Sequence, residues 1–94
     1  MYIILVYDIK FDKDGVGQKI LPKVFKICKK YLYHIQNSVF EGELTKSEIF
    51  KLKKELEEVI RKDEDSIIVF QSRNERWLNK NFWGVVEDKT SNFL

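Results

Sequence analysis

The 94 residues predict an α+β domain in which two helices cover one face of a small antiparallel sheet. Three features carry that expectation. Residues 2–9 (YIILVYDI) are a near-continuous run of β-branched and aromatic residues, the pattern of a strand covered on both faces or central in a small sheet. From Ile20 the positions Ile20, Val24, Ile27, Cys28 and Tyr31 recur at three- and four-residue spacing, which marks an amphipathic helix. Thr45-Lys46-Ser47-Glu48 has the form of a capping box and opens a second apolar stripe.

In chain order, the first strand runs into a loop at residues 10–17 (KFDKDGVG) with two Asp and two Gly. Leu21, Phe25 and Leu32 widen the stripe of the helix that follows. Pro22 fits that helix only in its first turn, where a missing N–H costs nothing. Residues 32–44 (LYHIQNSVFEGEL) have no helical stripe and read as extended. They form one long bent strand, or two strands parted near Asn37-Ser38 or Glu41-Gly42. The second helix puts Ile49, Leu52, Leu56, Val59 and Ile60 on one face and ends in the polar stretch 61–65. Residues 66–70 (SIIVF) read as a short buried strand, 71–80 as a charged connection and 82–86 (FWGVV) as a last strand. Residues 87–94 form a C-terminal tail, apolar only at Phe93 and Leu94, that docks or frays. The order is that of a ferredoxin-like β-α-β-β-α-β sandwich with an extra C-terminal strand, one domain over residues 1–86. A strand as apolar as residues 2–6 does not leave one side in water. A second copy is therefore expected on the open face, making a homodimer.

Composition removes several function classes. No apolar run reaches the roughly 18–20 residues of a membrane span; the longest, residues 1–7, has seven. That segment lacks the basic lead-in and small-residue cleavage site of a signal peptide, so a cytoplasmic protein without membrane contact is expected. One cysteine makes neither an internal disulfide nor a Cys-based zinc site, and one histidine makes no His-rich metal site within a single chain. There is no glycine-rich phosphate loop, Ser/His/Asp arrangement or dinucleotide fingerprint. The formal net charge of +2 conceals a basic segment. Lys10, Lys13, Lys19, Lys23, Lys26, Lys29 and Lys30 stand against only Asp12 and Asp14, and Glu-rich residues 41–58 offset part of the excess. Such a segment faces an anionic partner such as nucleic acid, or simply solvates a helix.

Asp8 closes the first strand beside a loop, at a sheet rim where ligands are met, or where an Asp caps turn amides. A hard cation wants about six oxygens, and two copies of Asp8 near a two-fold axis supply a pair of carboxylates able to share one Mg²⁺ with waters. Two bare carboxylates at close range repel unless they share a proton or a cation. Asp12, Asp14 and Gly15 invite comparison with a calcium loop, but Lys10 and Leu21 occupy the positions that need ligands. These aspartates read as solvated turn residues. On a regular strand His34, Gln36, Ser38 and Phe40 share one face, a row suited to a phosphate backbone or a dimer seam. Cys28 lies on the buried stripe and reads as an inert thiol. Trp77, Phe82 and Trp83 stack on bases or anchor a core or interface. Arg73 and Arg76, flanking Glu75, grip phosphate or solvate the surface.

The pair Tyr7-Asp8 closing the first strand, the run His34-Ile35-Gln36-Asn37-Ser38-Val39-Phe40-Glu41-Gly42-Glu43-Leu44, and Asp65-Ser66-Ile67-Ile68-Val69-Phe70 together resemble a known family. It is that of the CRISPR-associated endoribonucleases, the smaller of the two core CRISPR adaptation proteins. The middle run is similar to the family's Arg-Val/Ile-Gln-x-Ser-Val-Phe-Glu-Gly signature, with His34 where the family has Arg, and the likeness covers residues 1–86. The resemblance implies a ferredoxin-like homodimer whose C-terminal strand, here residues 82–86, crosses to the partner's sheet. It implies that Asp8 of both chains holds Mg²⁺ or another divalent ion, activating water for phosphodiester cleavage in RNA or DNA. Tyr7 and Phe40 match family positions near that centre, and Lys19 and Lys23 are loose counterparts of a basic pair. Lys26, Lys30, Arg73 and Arg76 extend the surface offered to duplex DNA or single-stranded RNA. The resemblance equally implies assembly with the larger CRISPR integrase subunit, where the dimer bridges integrase dimers during spacer capture and cleaves nothing. Outside that family, the architecture fits a small regulator or a toxin-like ribonuclease.

Overall fold

The apolar N-terminal run becomes an inner strand of a four-stranded sheet. In the computed structural model, which describes residues 1–84, β1 (Tyr2–Asp8) lies between β3 (Val39–Glu43) and β4 (Ser66–Ser72). The strand β2 (Tyr33–Gln36) takes the far edge, and every neighbouring pair is antiparallel. Helices α1 (Val16–Tyr31) and α2 (Lys46–Glu57) cover one face, which completes the β-α-β-β-α-β order of a ferredoxin-like sandwich. Strand alternation sends Ile3, Leu5 and Tyr7 toward the helices, where they meet Phe40, Val24, Cys28, Leu52 and Leu56 in one buried cluster. Phe40, paired opposite Leu5, is the largest side chain that is fully buried. Burying a ring of that size is worth about 2–3 kcal/mol.

Helix α1 begins at Val16, ahead of the apolar stripe, because backbone contacts set its start. Gly15 adopts φ 77° at the N-cap, and the Asp14 carboxylate accepts from the Val16 N–H at 3.0 Å. Gly17 lies so close to the loop that a Cβ there would sit 1.9 Å from the Lys10 carbonyl oxygen. The early start corrects the expected place of Pro22, which lies in the helix interior rather than its first turn. There it lacks the N–H that would bond the Gln18 carbonyl, an arrangement that costs about 3 kcal/mol and must be offset by the packing of the flanking Leu21 and Phe25.

The extended stretch resolves into two strands parted at Asn37-Ser38, with Asn37 at φ 44°, a conformation its short polar side chain tolerates. A register shift between His34 and Gln36 breaks the alternation expected along residues 34–40. The capping box of α2 is formed in both directions: Glu48 N–H donates to Thr45 Oγ1 at 3.1 Å and Thr45 N–H to Glu48 Oε1 at 2.9 Å. Val59 and Ile60 follow the helix end, both amides bonding the Leu56 carbonyl, and remain packed on the core.

Strand β4 corrects the expectation of a buried segment. It runs to Ser72 along the sheet edge, and Ile68 and Phe70 are 54% and 57% exposed. Both pair with β1 residues on the side away from the helices, Ile68 with Val6 and Phe70 with Ile4. On the helix side, Ile67 and Val69 line a groove of about 380 Å³ against Ile49, Leu52 and Leu56. After β4 the chain passes a short turn (Glu75–Trp77) and returns, so that Lys80 binds Glu41 and Glu75 beside the Tyr2 ring. The expected last strand at 82–86 lies partly outside the described residues; its described part, 82–84, pairs with no strand among the described residues. Phe82 and Trp83 are exposed there, Trp83 at 92%, so neither is a core anchor. The side chain of Trp77 and the tail at 87–94 lie outside the described residues. Among the described residues no helix is long and apolar enough to cross a membrane.

Candidate site at the end of the central strand

Alternation along β1 separates Tyr7 from Asp8. Asp8, paired with Ser66, faces the open side of the sheet in register with Val6 and Ile68, and its exposed carboxylate has no hydrogen bond or ion pair among the described residues. Tyr7 turns to the helices and is buried, and burial, with Cys28 nearby, raises its hydroxyl pKa. Its ring lies 6.0 Å from that of Phe40, which in turn lies 4.9 Å from His34 and 5.4 Å from Phe25. Tyr7, His34 and Phe40 are thus brought together with one another, as the aromatic centre of the helix-side core, and not with the Asp8 carboxylate. His34 Nε2 stands 2.8 Å from the Asn37 carbonyl oxygen, which makes it the protonated nitrogen, and Nδ1 is buried with no partner among the described residues. Gln36 and Ser38 leave the expected row because of the bulge and the turn; the Ser38 carbonyl instead accepts the Tyr7 N–H. Cys28 is fully buried, and burial pushes its thiol up to about 12, the inert state expected.

The loop behind Asp8 is fastened by a cluster that reads in the sequence only as a polar stretch. Arg61 Nη1 donates to Asp12 at 3.0 Å, Nη2 to the Lys10 carbonyl at 2.6 Å, and Nε and Nη2 to Asp65 at 3.1 and 2.9 Å. Asp65, its side chain fully buried, also accepts from the Lys10 and Arg61 amides. The Arg61 guanidinium, and then these amides, hold its carboxyl below the usual range. Asp12 is accordingly a loop anchor, a correction to its expected place as a solvated turn residue. The four-residue spacing of Arg61 and Asp65 is the one local sign of this contact.

Lys19, Lys23 and Lys26 are exposed along α1 with no ion pair among the described residues. Lys30 continues the stripe but is tied to Glu55, and Lys29 lies over the Phe25 ring at 5.7 Å. Arg73 and Arg76 are exposed around the turn after β4. No group of three or more His, Cys, Asp or Glu suited to a metal occurs among the described residues. Asp8 has the right chemistry for a hard cation, oxygen donors on an unengaged carboxylate, but one chain offers one such side chain at that place. The residues fit a divalent ion only where two copies of Asp8 meet.

The family model described as CRISPR associated protein Cas2 matches residues 1–80. A CRISPR-associated endoribonuclease Cas2 of Fusobacterium nucleatum subsp. nucleatum is 55% identical over 94 residues, covering 100% of this chain and 87% of the relative. The protein of the same name in Methanosarcina acetivorans is 39% identical over 94 residues and covers 100% of both chains. Among solved structures, a crystal structure of Cas2 superposes with a TM-score of 0.78 at 31% identity, covering 93% of this chain and 90% of the other. Streptococcus pyogenes Cas2 at pH 6.5 gives 0.70 at 30% identity, covering 87% and 100%.

Proposed function

Because the chain belongs to the CRISPR-associated Cas2 family, we propose that it is a cytoplasmic endonuclease of CRISPR adaptation that hydrolyses phosphodiester bonds in RNA or DNA as a homodimer. The observation that carries this reading is Asp8, an unengaged carboxylate at the end of β1, on the face where Ile4, Val6, Val39, Ile68 and Phe70 stand open. A contiguous apolar patch of that kind marks an interaction surface, and a second copy laid on it brings two Asp8 carboxylates toward each other. Their mutual repulsion favours a shared Mg²⁺. What a divalent ion supplies at such a pair is Lewis acidity toward a phosphoryl oxygen and a more acidic bound water. Asp8 orients that charge at the rim, and the α1 lysines, exposed on the helix layer, draw in the phosphate backbone at longer range. The Arg61 cluster fixes the loop that follows Asp8.

A second reading is favoured by Lys19, Lys23 and Lys26 of α1, which hold no ion pair among the described residues and whose attraction for phosphate needs no chemistry. In it the dimer is a DNA-binding scaffold between copies of the integrase subunit. Cleavage of labelled RNA and duplex DNA, with Mg²⁺ and with EDTA, by wild type and Asp8→Ala separates the two. The nuclease reading expects metal-dependent cutting that falls at least about 100-fold in Asp8→Ala, with the oligomeric mass unchanged. Equal cutting by both proteins, or none by wild type, leaves the scaffold.

A further inference from the structure

The outer surface of α2 carries an aromatic side chain that the fold does not use. Phe50 is 60% exposed, and Lys54 Nζ lies 5.6 Å from its ring centroid. Lys46 and Lys54 stand one turn before and after Phe50, and Lys53 flanks it; all three are exposed. The acidic residues of the same helix are engaged elsewhere: Glu48 on the Thr45 amide, and Glu55 on Lys30 and the Tyr31 hydroxyl. Glu57 and the C-cap Glu58 stand one turn beyond Lys53 and Lys54 and form no ion pair among the described residues. The exposed side of α2 therefore presents one aromatic ring beside three lysines that hold no ion pair among the described residues.

We propose that this surface is a second nucleic-acid site, in which a base of a single-stranded segment stacks on Phe50 while Lys46, Lys53 and Lys54 take the flanking phosphates. Charge selects the polyanion, and the exposed ring selects the single strand, because a base is free to stack on a side chain only when it has left its duplex neighbours. The surface belongs to the helix layer, on the far side of the sheet from the face that holds Asp8. It holds a strand without cutting it. The inference rests on the reading of the chain as a nucleic-acid-binding protein.

The test is anisotropy of a labelled 15-nucleotide oligo(U) and of a labelled hairpin duplex with the full chain, at several salt concentrations. Phe50→Ala is expected to weaken oligo(U) binding about 5- to 100-fold and leave the duplex within about two-fold, with Phe50→Trp restoring it. Lys54→Ala is expected to lower the single-strand salt slope by about 0.7. Wild-type affinity for oligo(U) in Phe50→Ala overturns the site while the wider reading stands. So does a Phe50→Ala variant whose main change is a lower oligomeric mass, since Phe50 is then a protein contact. No binding of either probe by wild type overturns the wider reading and this site with it.

Discussion

Arg61 and Asp65 show how much one pair of side chains is asked to hold. The guanidinium bridges Asp65, Asp12 and the Lys10 carbonyl, and the buried Asp65 carboxylate gathers two amides from opposite ends of the same loop system. Because the folded-state pKa of Asp65 is depressed, its contribution to stability is complete above the unfolded carboxylate value near 3.9 and is lost as pH falls below it. Asp65→Asn is expected to destabilise the protein by about 3 kcal/mol at pH 7 in urea unfolding, and its stability should fall less steeply than wild type below about pH 4. None of this was legible in the sequence beyond a four-residue spacing. The partners lie roughly fifty positions apart, and no local pattern records such a contact. Tyr7, His34 and Phe40 stand out in the sequence, His34 and Phe40 on one strand face, and the three rings meet on the helix side of the sheet. Phe40 lies opposite Leu5 and His34 opposite Phe40, so the register turns these rings to the helix side with Tyr7, and the bulge falls after His34.

The elements were legible to the extent that their causes are local. The capping box at Thr45 and the apolar stripe of α2 specify a helix from neighbouring residues alone; the box is found as read, and the stripe holds to Leu56, while Val59 and Ile60 follow the helix end. The start of α1 depends instead on Gly17 against the Lys10 carbonyl, a backbone contact that periodicity cannot show. The exposed side of α1 was readable because lysines at three- and four-residue spacing fall on one stripe. Replacing Lys19, Lys23 and Lys26 together by Gln is expected to make the salt slope of duplex-DNA binding shallower by about 2 to 3, with unchanged far-ultraviolet circular dichroism. An unaltered slope removes the stripe from the interface.

For the whole molecule, the sandwich order was recoverable because a β-α-β-β-α-β succession admits few arrangements. What the sequence does not distinguish is whether SIIVF is covered by the chain's own helices or by another copy, since both present the same apolar run. Ile68 and Phe70 resolve this in favour of an open face. Phe70→Lys, at an exposed position that leaves the core untouched, is expected to give the mass of a single chain in light scattering at micromolar concentration, with the wild type at twice that mass and both spectra folded. A dimeric Phe70→Lys protein removes this face from the contact.

Pro22 also divides α1 in time. The missing rung between residues 18 and 22 interrupts the cooperativity that would make sixteen residues open as one. The turns before it hang on Gly17 and the Arg61 cluster, and those after it on Val24 and Cys28, both fully buried. Two segments with separate anchors have separate opening free energies, and their amides exchange with solvent hydrogen at separate rates. The segment before Pro22 is joined directly to the loop behind Asp8, so an opening confined to it reaches the rim of the sheet without disturbing Val24 and Cys28.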